Sequence, residues 1–150
     1  LKAKPFFIKP NIIEAEGFLG RRIKSQKEIK RALDHFHSLG IRNVAITLGE
    51  KGAWASNGEE AIYCPAPEIV GINAVGCGDS FVAGYVRALM KKKSLRQCLV
   101  EGVTCGSANV FNYLPGGIDR QEIIAVKRKM KQNINLVLAN SNEINQGIFS

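Results

Sequence analysis

The stretch "GINAVGCGDSFVAGY", residues 71–85, sets three glycines, an aspartate and a serine directly ahead of a run with helical spacing. Gly76 and Gly78 carry no Cβ, so the backbone can turn sharply there and a ligand can come close. From Asp79 onward Val82, Tyr85, Val86 and Leu89 recur at the interval of one helix face. The stretch therefore predicts a loop that runs into the N-terminus of a helix. Free N–H groups and the positive end of the helix dipole meet at such a place and favour an anion. Glycine followed by Asp-Ser is also an ordinary way to cap a helix, so a capping role and a ligand role stay open on these residues alone.

The surrounding text supplies the fold. "PFFIKP" (5–10) is an apolar run bounded by prolines, suited to a buried strand. "NIIEAEGFLG" (11–20) reads as a short helix capped by Asn11 and stopped by Gly20. In "SQKEIKRALDHFHSLG" (25–40), Ser25 and Glu28 form a capping box, Ile29, Leu33 and Phe36 form the apolar face, and Gly40 supplies the closing turn. "NVAITL" (43–48) is a strand of the fully buried kind, and "AWAS" and "AIYCP" are two more strands joined by the turn "NGEE". Three helices follow, over Asp79 to Lys92, Ser94 to about Asn112 and Asp119 to about Lys131. The last two open with capping-box spacing, Ser94 with Gln97 and Asp119 with Glu122, and "LPGGI" is the turn between them.

Residues 1–132 thus read as one unit and 133–150 as an Asn-rich tail whose firm piece is "INLVLA". Strand, helix, strand and then a hairpin indicate an α/β layered fold with parallel pairing of "PFFIKP" and "NVAITL". Ligands of such sheets sit beyond the carboxyl ends of the strands. "KPNIIE" (9–14), "TLGEKG" (47–52) and "GCGD" (76–79) are all expected there.

Composition narrows the function classes. The 150 residues are 45% hydrophobic and 23% charged, which is globular rather than disordered. No apolar run approaches the roughly 20 residues of a membrane span, and the first residues are too poor in apolar side chains for a signal peptide. Cys64, Cys77, Cys98 and Cys105 form no CxxC pair and match no zinc pattern, which leads to a reduced, cytoplasmic protein. The net charge of +8 calls for an anionic partner, either nucleic acid or phosphorylated small molecules. Its lysines and arginines lie in "GRRIKSQKEIKR", "MKKKSLR" and "VKRKMKQ", on or beside amphipathic helices, as solvated faces do. A non-catalytic basic module for nucleotides or nucleic acid is the second reading, although no basic strand interleaved with aromatics is present.

Together "KPNIIEAE", "TLGEKGA" and "NAVGCGDSFVAGY" resemble the ribokinase-like (PfkB) family of sugar kinases: its K-P-N-x-x-E segment, its nucleotide loop and its G-x-G-D signature, in that order. The resemblance covers about residues 4–130 and is to the C-terminal portion of the family's fold. It implies ATP and Mg2+ as cofactors, with Asp79 as the catalytic base that takes the proton of the attacking sugar hydroxyl. It implies that Gly76, Cys77 and Gly78 present backbone N–H groups to the phosphates as an anion hole, and that Thr47, Gly49 and Gly52 shape the nucleotide loop. Lys51 would lie near phosphate or in solvent, and Lys9 within reach of a phosphate. Asn11 and Glu14 would organise the magnesium and its waters indirectly, and Asn109 would line the adenine pocket.

Asn73 and the "KPN" lead-in resemble the branch of the family that acts on phosphorylated hexoses, with fructose 1-phosphate favoured and tagatose 6-phosphate next. The partners implied are ATP and a phosphorylated hexose, with no membrane, and a homodimer is open to the complete enzyme. Complete members of the family are longer, and the parts that read the sugar and close over it have no counterpart here. The expectation is a nucleotide-side half-site that is inactive as an isolated chain. Phosphoryl transfer relies on in-line placement and on stabilised oxygen charge, which backbone donors at a helix start supply without reorganising. Within the signature Cys77 serves backbone geometry rather than nucleophilic attack. Trp54 belongs to a strand core, and His35 and His37, without partners four residues on, do not bind metal.

Overall fold

The computed structural model of the protein describes residues 4–139. Four strands lie in the order β1 (Phe7–Ile8), β2 (Asn43–Thr47), β3 (Ala53–Ser56), β4 (Ala61–Cys64). β1 runs parallel to β2, with Phe7 beside Asn43, whereas β2–β3 and β3–β4 are antiparallel. The order follows from the connections. A helical crossover separates β1 from β2 and makes them parallel, while short turns join β2 to β3 and β3 to β4.

Side-chain alternation divides the core into two clusters, one on each face of the sheet. Val44, Ile46 and Trp54 pack with Ala15, Ile29, Leu33 and Phe36 from α1 (Ile12–Leu19) and α2 (Gln26–Ser38). Ala45, Ala53 and Ala55 point the other way, toward Phe81, Tyr85, Leu99 and Val103 of α3 (Cys77–Met90) and α4 (Leu95–Asn109). Small strand residues on that face leave room for two aromatic rings. Phe7 stacks on Tyr85 with centroids 4.6 Å apart, and Phe81 follows at 5.9 Å. Burial pushes the Tyr85 hydroxyl well above its ordinary range. Val126 and Met130 of α5 (Arg120–Ala139) complete this cluster, so the fold is helices, sheet, helices, with the strand pairing and hairpin read from the sequence.

The helix signals hold with three differences. Asn11 and Glu14 form a full capping box on α1, as do Ser94 and Gln97 on α4. On α2, Ser25 caps Glu28, but the Glu28 carboxylate returns to the amide of Lys24 rather than that of Ser25. α3 begins at Cys77, two residues ahead of the expected Asp79, because Gly76 takes φ 84° and serves as the N-cap itself. α5 runs on to Ala139, so "INLVLA" continues the helix across the division expected after residue 132. Residues 140–150 of the expected tail lie outside the described residues.

His37 and Trp54 have structural settings. His37 Nδ1 donates to the Ile41 carbonyl at 2.8 Å, and Nε2 pairs with Ser56 Oγ at 2.8 Å, which ties the end of α2 to β3. Trp54 is buried between the Lys30 ammonium, 5.8 Å from its ring centroid, and Tyr63. Among the described residues no group of three or more potential ligands is placed to hold a metal ion. Glu101 of α4 takes Lys127 of α5 at 2.6 Å and Arg87 of α3 at 3.6 Å, so part of the basic surplus is spent inside the helical layer. No helix among the described residues is long and apolar enough to cross a membrane.

Candidate functional site

Two of the three expected segments meet at the carboxyl end of β2. The Thr47 amide donates to the Pro10 carbonyl at 3.1 Å, and Asn11 bridges to Thr47 in parallel fashion, so "KPN" and "TLG" run side by side. The third segment joins through Lys9. A Cβ built on Gly78 would lie 3.1 Å from Lys9 Nζ, so the ammonium rests directly over the first turn of α3. Lys9 is half-buried and makes no hydrogen bond or ion pair among the described residues. A cation at the positive end of a helix, with no ion pair within 4 Å among the described residues, is a setting in which a phosphate is favoured.

The backbone of this turn is set up unevenly. The Cys77 amide is engaged by the Ala74 carbonyl at 3.3 Å, and the Ser80 amide already bonds to Gly76 at 2.9 Å. The amides of Gly76, Gly78 and Asp79 have no acceptor among the described residues. Of the three amides expected to form an anion hole, those of Gly76 and Gly78 are open and that of Cys77 is engaged, while the Asp79 amide is open beside them. The Cys77 thiol faces inward, 3.6 Å from Asn109 Nδ2 and 4.0 Å from the Asn73 carbonyl, in keeping with a geometric role. A side chain at Gly78 would displace the tip of Lys9 by a few tenths of an ångström. Asp79 is exposed and its carboxylate makes no hydrogen bond within the described residues, so it is free to face a substrate.

The loop after β2, expected to hold the nucleotide, is a single 3-10 turn, Gly49–Lys51, with glycines of positive φ at its start and directly after it. Gly49 has φ 62° and open space around it; Gly52 has φ 101°, and a Cβ there would lie 2.1 Å from the Cys64 carbonyl oxygen. The Leu48 amide closes the loop on the Gly52 carbonyl at 2.8 Å. Tyr63 donates its hydroxyl to the Lys51 carbonyl and pins the loop to β4. Burial pushes that hydroxyl up to about 12, so it stays a donor throughout the neutral range. The sequence offered no sign of Tyr63, because the contact runs from a side chain on β4 to a backbone oxygen of the turn after β2.

Asn11 and Glu14 sit at the same end of the sheet, and part of each is committed. Asn11 Oδ1 accepts from the Glu14 amide at 2.9 Å, and Glu14 Oε2 accepts from the Asn11 amide at 2.7 Å. Asn11 Nδ2 and Glu14 Oε1 remain outside this box. One free carboxylate oxygen and one free amide are groups able to order water around a cation.

Asn109 lies directly behind the first turn of α3. It is fully buried; its Oδ1 accepts from the Ser80 hydroxyl at 3.2 Å and the Gly116 amide at 2.8 Å. Its Nδ2 donates to the Val75 carbonyl at 2.8 Å and contacts Cys77 Sγ at 3.6 Å. Both hydrogens and both lone pairs of this residue, the one expected to line an adenine pocket, are used inside the protein. Asn73, the residue that resembled the hexose-phosphate branch, donates from Nδ2 to the Tyr113 carbonyl at 3.0 Å and accepts from the Val75 amide at 2.9 Å.

A layered α/β domain with glycine loops gathered beyond its strand ends belongs to the class that takes a ligand at that edge. Comparison with known proteins makes the class specific. Residues 1–119 match the pfkB family carbohydrate kinases, and the chain belongs to that family. It is 31% identical over 131 residues to a 1-phosphofructokinase of Escherichia coli, spanning 87% of this chain and 42% of that protein. A D-tagatose-1-phosphate kinase of Klebsiella oxytoca is 28% identical over 71% of this chain and 35% of its own length. Among solved structures, a putative phosphofructokinase from Staphylococcus aureus superimposes with a TM-score of 0.77 at 30% identity, covering 83% of this chain and 40% of that one. Phosphofructokinase-2 of Escherichia coli has the same fold, with a TM-score of 0.76 at 24% identity. The chain therefore spans about two-fifths of the length of the relatives it matches.

Proposed function

We propose that this chain carries the nucleotide side of a cytoplasmic, ATP-dependent kinase for a phosphorylated hexose, with fructose 1-phosphate the favoured acceptor and a tagatose phosphate the next. The observation that carries the reading is the first turn of α3. There the unpartnered Lys9 ammonium and the open amides of Gly78 and Asp79 converge beside a free carboxylate. The names of the relatives support the acceptor class.

In this reading Gly76, Gly78 and Asp79 point fixed N–H dipoles at the oxygens that gain charge as the phosphoryl group moves, and Lys9 adds a full positive charge. Asp79 takes the proton of the acceptor hydroxyl as its oxygen bonds to the γ-phosphorus and the bond from that phosphorus to the bridging oxygen breaks, leaving ADP. Thr47, Gly49, Lys51 and Gly52 hold the nucleotide along the loop that Tyr63 braces. Asn11 and Glu14 would hold the waters of a magnesium ion, whose charge would offset that of the phosphates.

In-line transfer needs both substrates held and water excluded, and these 150 residues supply one side of that arrangement. Purified alone and given Mg-ATP with fructose 1-phosphate, tagatose 6-phosphate or tagatose 1-phosphate, the chain is expected to turn over far below the roughly 1 per second of slow intact kinases. Turnover near that rate from a monomer would show a complete sugar site and contradict the half-site.

A further inference from the structure

Asn109 ties together three pieces of chain with one buried side chain. Its side chain joins the loop before α3 (Val75), the first turn of α3 (Cys77 and Ser80) and the turn after α4 (Gly116). Two close approaches lie around it. A Cβ on Gly76 would come 2.5 Å from Pro115 Cβ, and one on Gly71 would come 2.5 Å from Val110 Cβ. Gly76, in its left-handed conformation, sits directly against Pro115 of the "LPGG" turn. We propose that Asn109 is the positioning residue of the phosphate-receiving turn. By fixing Val75 and Ser80 on either side of Gly76, it aims the Gly78 and Asp79 amides and the Asp79 carboxylate. This rests on the nucleotide reading for what the turn receives, but not for the order it imposes.

Geometry sets this role apart from ordinary core packing. Thr104, another fully buried polar residue of α4, bonds only to Val100 of its own helix and to Met130 of α5. Loss of Thr104 loosens the helical layer, whereas loss of Asn109 loosens the turn. A buried polar side chain with every bond made confers rigidity, and removing it leaves the Val75 carbonyl and the Gly116 amide without partners.

The test compares Asn109→Ala with Thr104→Val in the whole chain. In Asn109→Ala, amide hydrogen exchange at residues 75–80 and 114–117 is expected to rise by about tenfold or more, with the middle of α4 unchanged. Mg-ATP affinity falls by about tenfold or more at a temperature where the helix content is intact. Thr104→Val lowers the melting temperature and leaves both readouts in place. Should Asn109→Ala fail to fold, Ser80→Ala cuts one of the same bonds and shows the smaller shift in the same residues. Exchange at 75–80 equal to that of the unaltered chain, in whichever variant folds, overturns the proposal. If the unaltered chain does not bind Mg-ATP, the nucleotide reading fails, and the exchange comparison still decides the role of Asn109.

Discussion

Asp79→Asn is expected to lower kcat by about 10²–10⁴-fold, the range in which a positioned proton acceptor contributes. The appropriate background is a chimaera in which these residues replace the matching portion of a relative such as the Escherichia coli 1-phosphofructokinase. The substitution keeps the size of the side chain and removes its ability to take a proton. Because Asp79 is exposed and makes no side-chain hydrogen bond, little else changes. The loss of an acidic group from the first turn of α3 costs about 0.3–1 kcal/mol of helix stability. Mg-ATP affinity stays near that of the unaltered chimaera, since the Gly76 and Gly78 amides and Lys9 remain. Single-turnover kinetics with ATP titration separate the two effects. Near-normal turnover would remove Asp79 from the role of base.

The largest effect on the fold itself is expected at Gly52. Its φ of 101° lies in a region that side chains rarely adopt, and an added Cβ would meet the Cys64 carbonyl at 2.1 Å and the Ala66 amide at 2.7 Å. Backbone strain costs of order 1–3 kcal/mol and overpacking against fixed backbone about as much again. Gly52→Ala is thus expected to destabilise the chain by about 3 kcal/mol or more, which lowers the melting temperature by roughly 10 °C in a domain of this size. Gly49→Ala, three residues away with φ 62° and no atom within 4 Å, bears only the conformational term. Its cost is about 1 kcal/mol. Calorimetry on the pair checks the argument. Equal melting temperatures would mean that the loop and the end of β4 move apart freely.

Most of the layer structure was legible because it is written in local chemistry. The Asn11–Glu14 and Ser94–Gln97 boxes begin helices where the spacing said they would, and "AWAS-NGEE-AIYC" pairs as the hairpin its turn demands. The boundaries missed have local causes too. A glycine read as loop became the N-cap of α3. The Asn residues after Gln132 disfavour helix too weakly to stop one, at well under 1 kcal/mol each relative to alanine. The site was legible in its list of residues more than in their roles. Lys9 and Gly78 are 69 positions apart and meet only through the crossover of the sheet. The four partners of Asn109 come from three segments, so a buried tie and a pocket residue look the same in sequence. Which of the Gly76, Cys77 and Gly78 amides stays open depends on the turn that Ala74 makes, and no motif records that.

The central claim, that the loops at this end of the sheet receive a nucleotide, is tested most directly by amide hydrogen exchange with and without Mg-ATP. Protection is expected at residues 47–52 and 76–80 together, with the hairpin turn at 57–60 and the far end of α3 unaffected. An oligonucleotide titration run beside it at several salt concentrations distinguishes the basic-module reading, since phosphate-backbone binding weakens steeply as salt rises. Joint protection of the two glycine segments by Mg-ATP is the predicted result. Tight, salt-sensitive binding of DNA or RNA with no protection by Mg-ATP would contradict it.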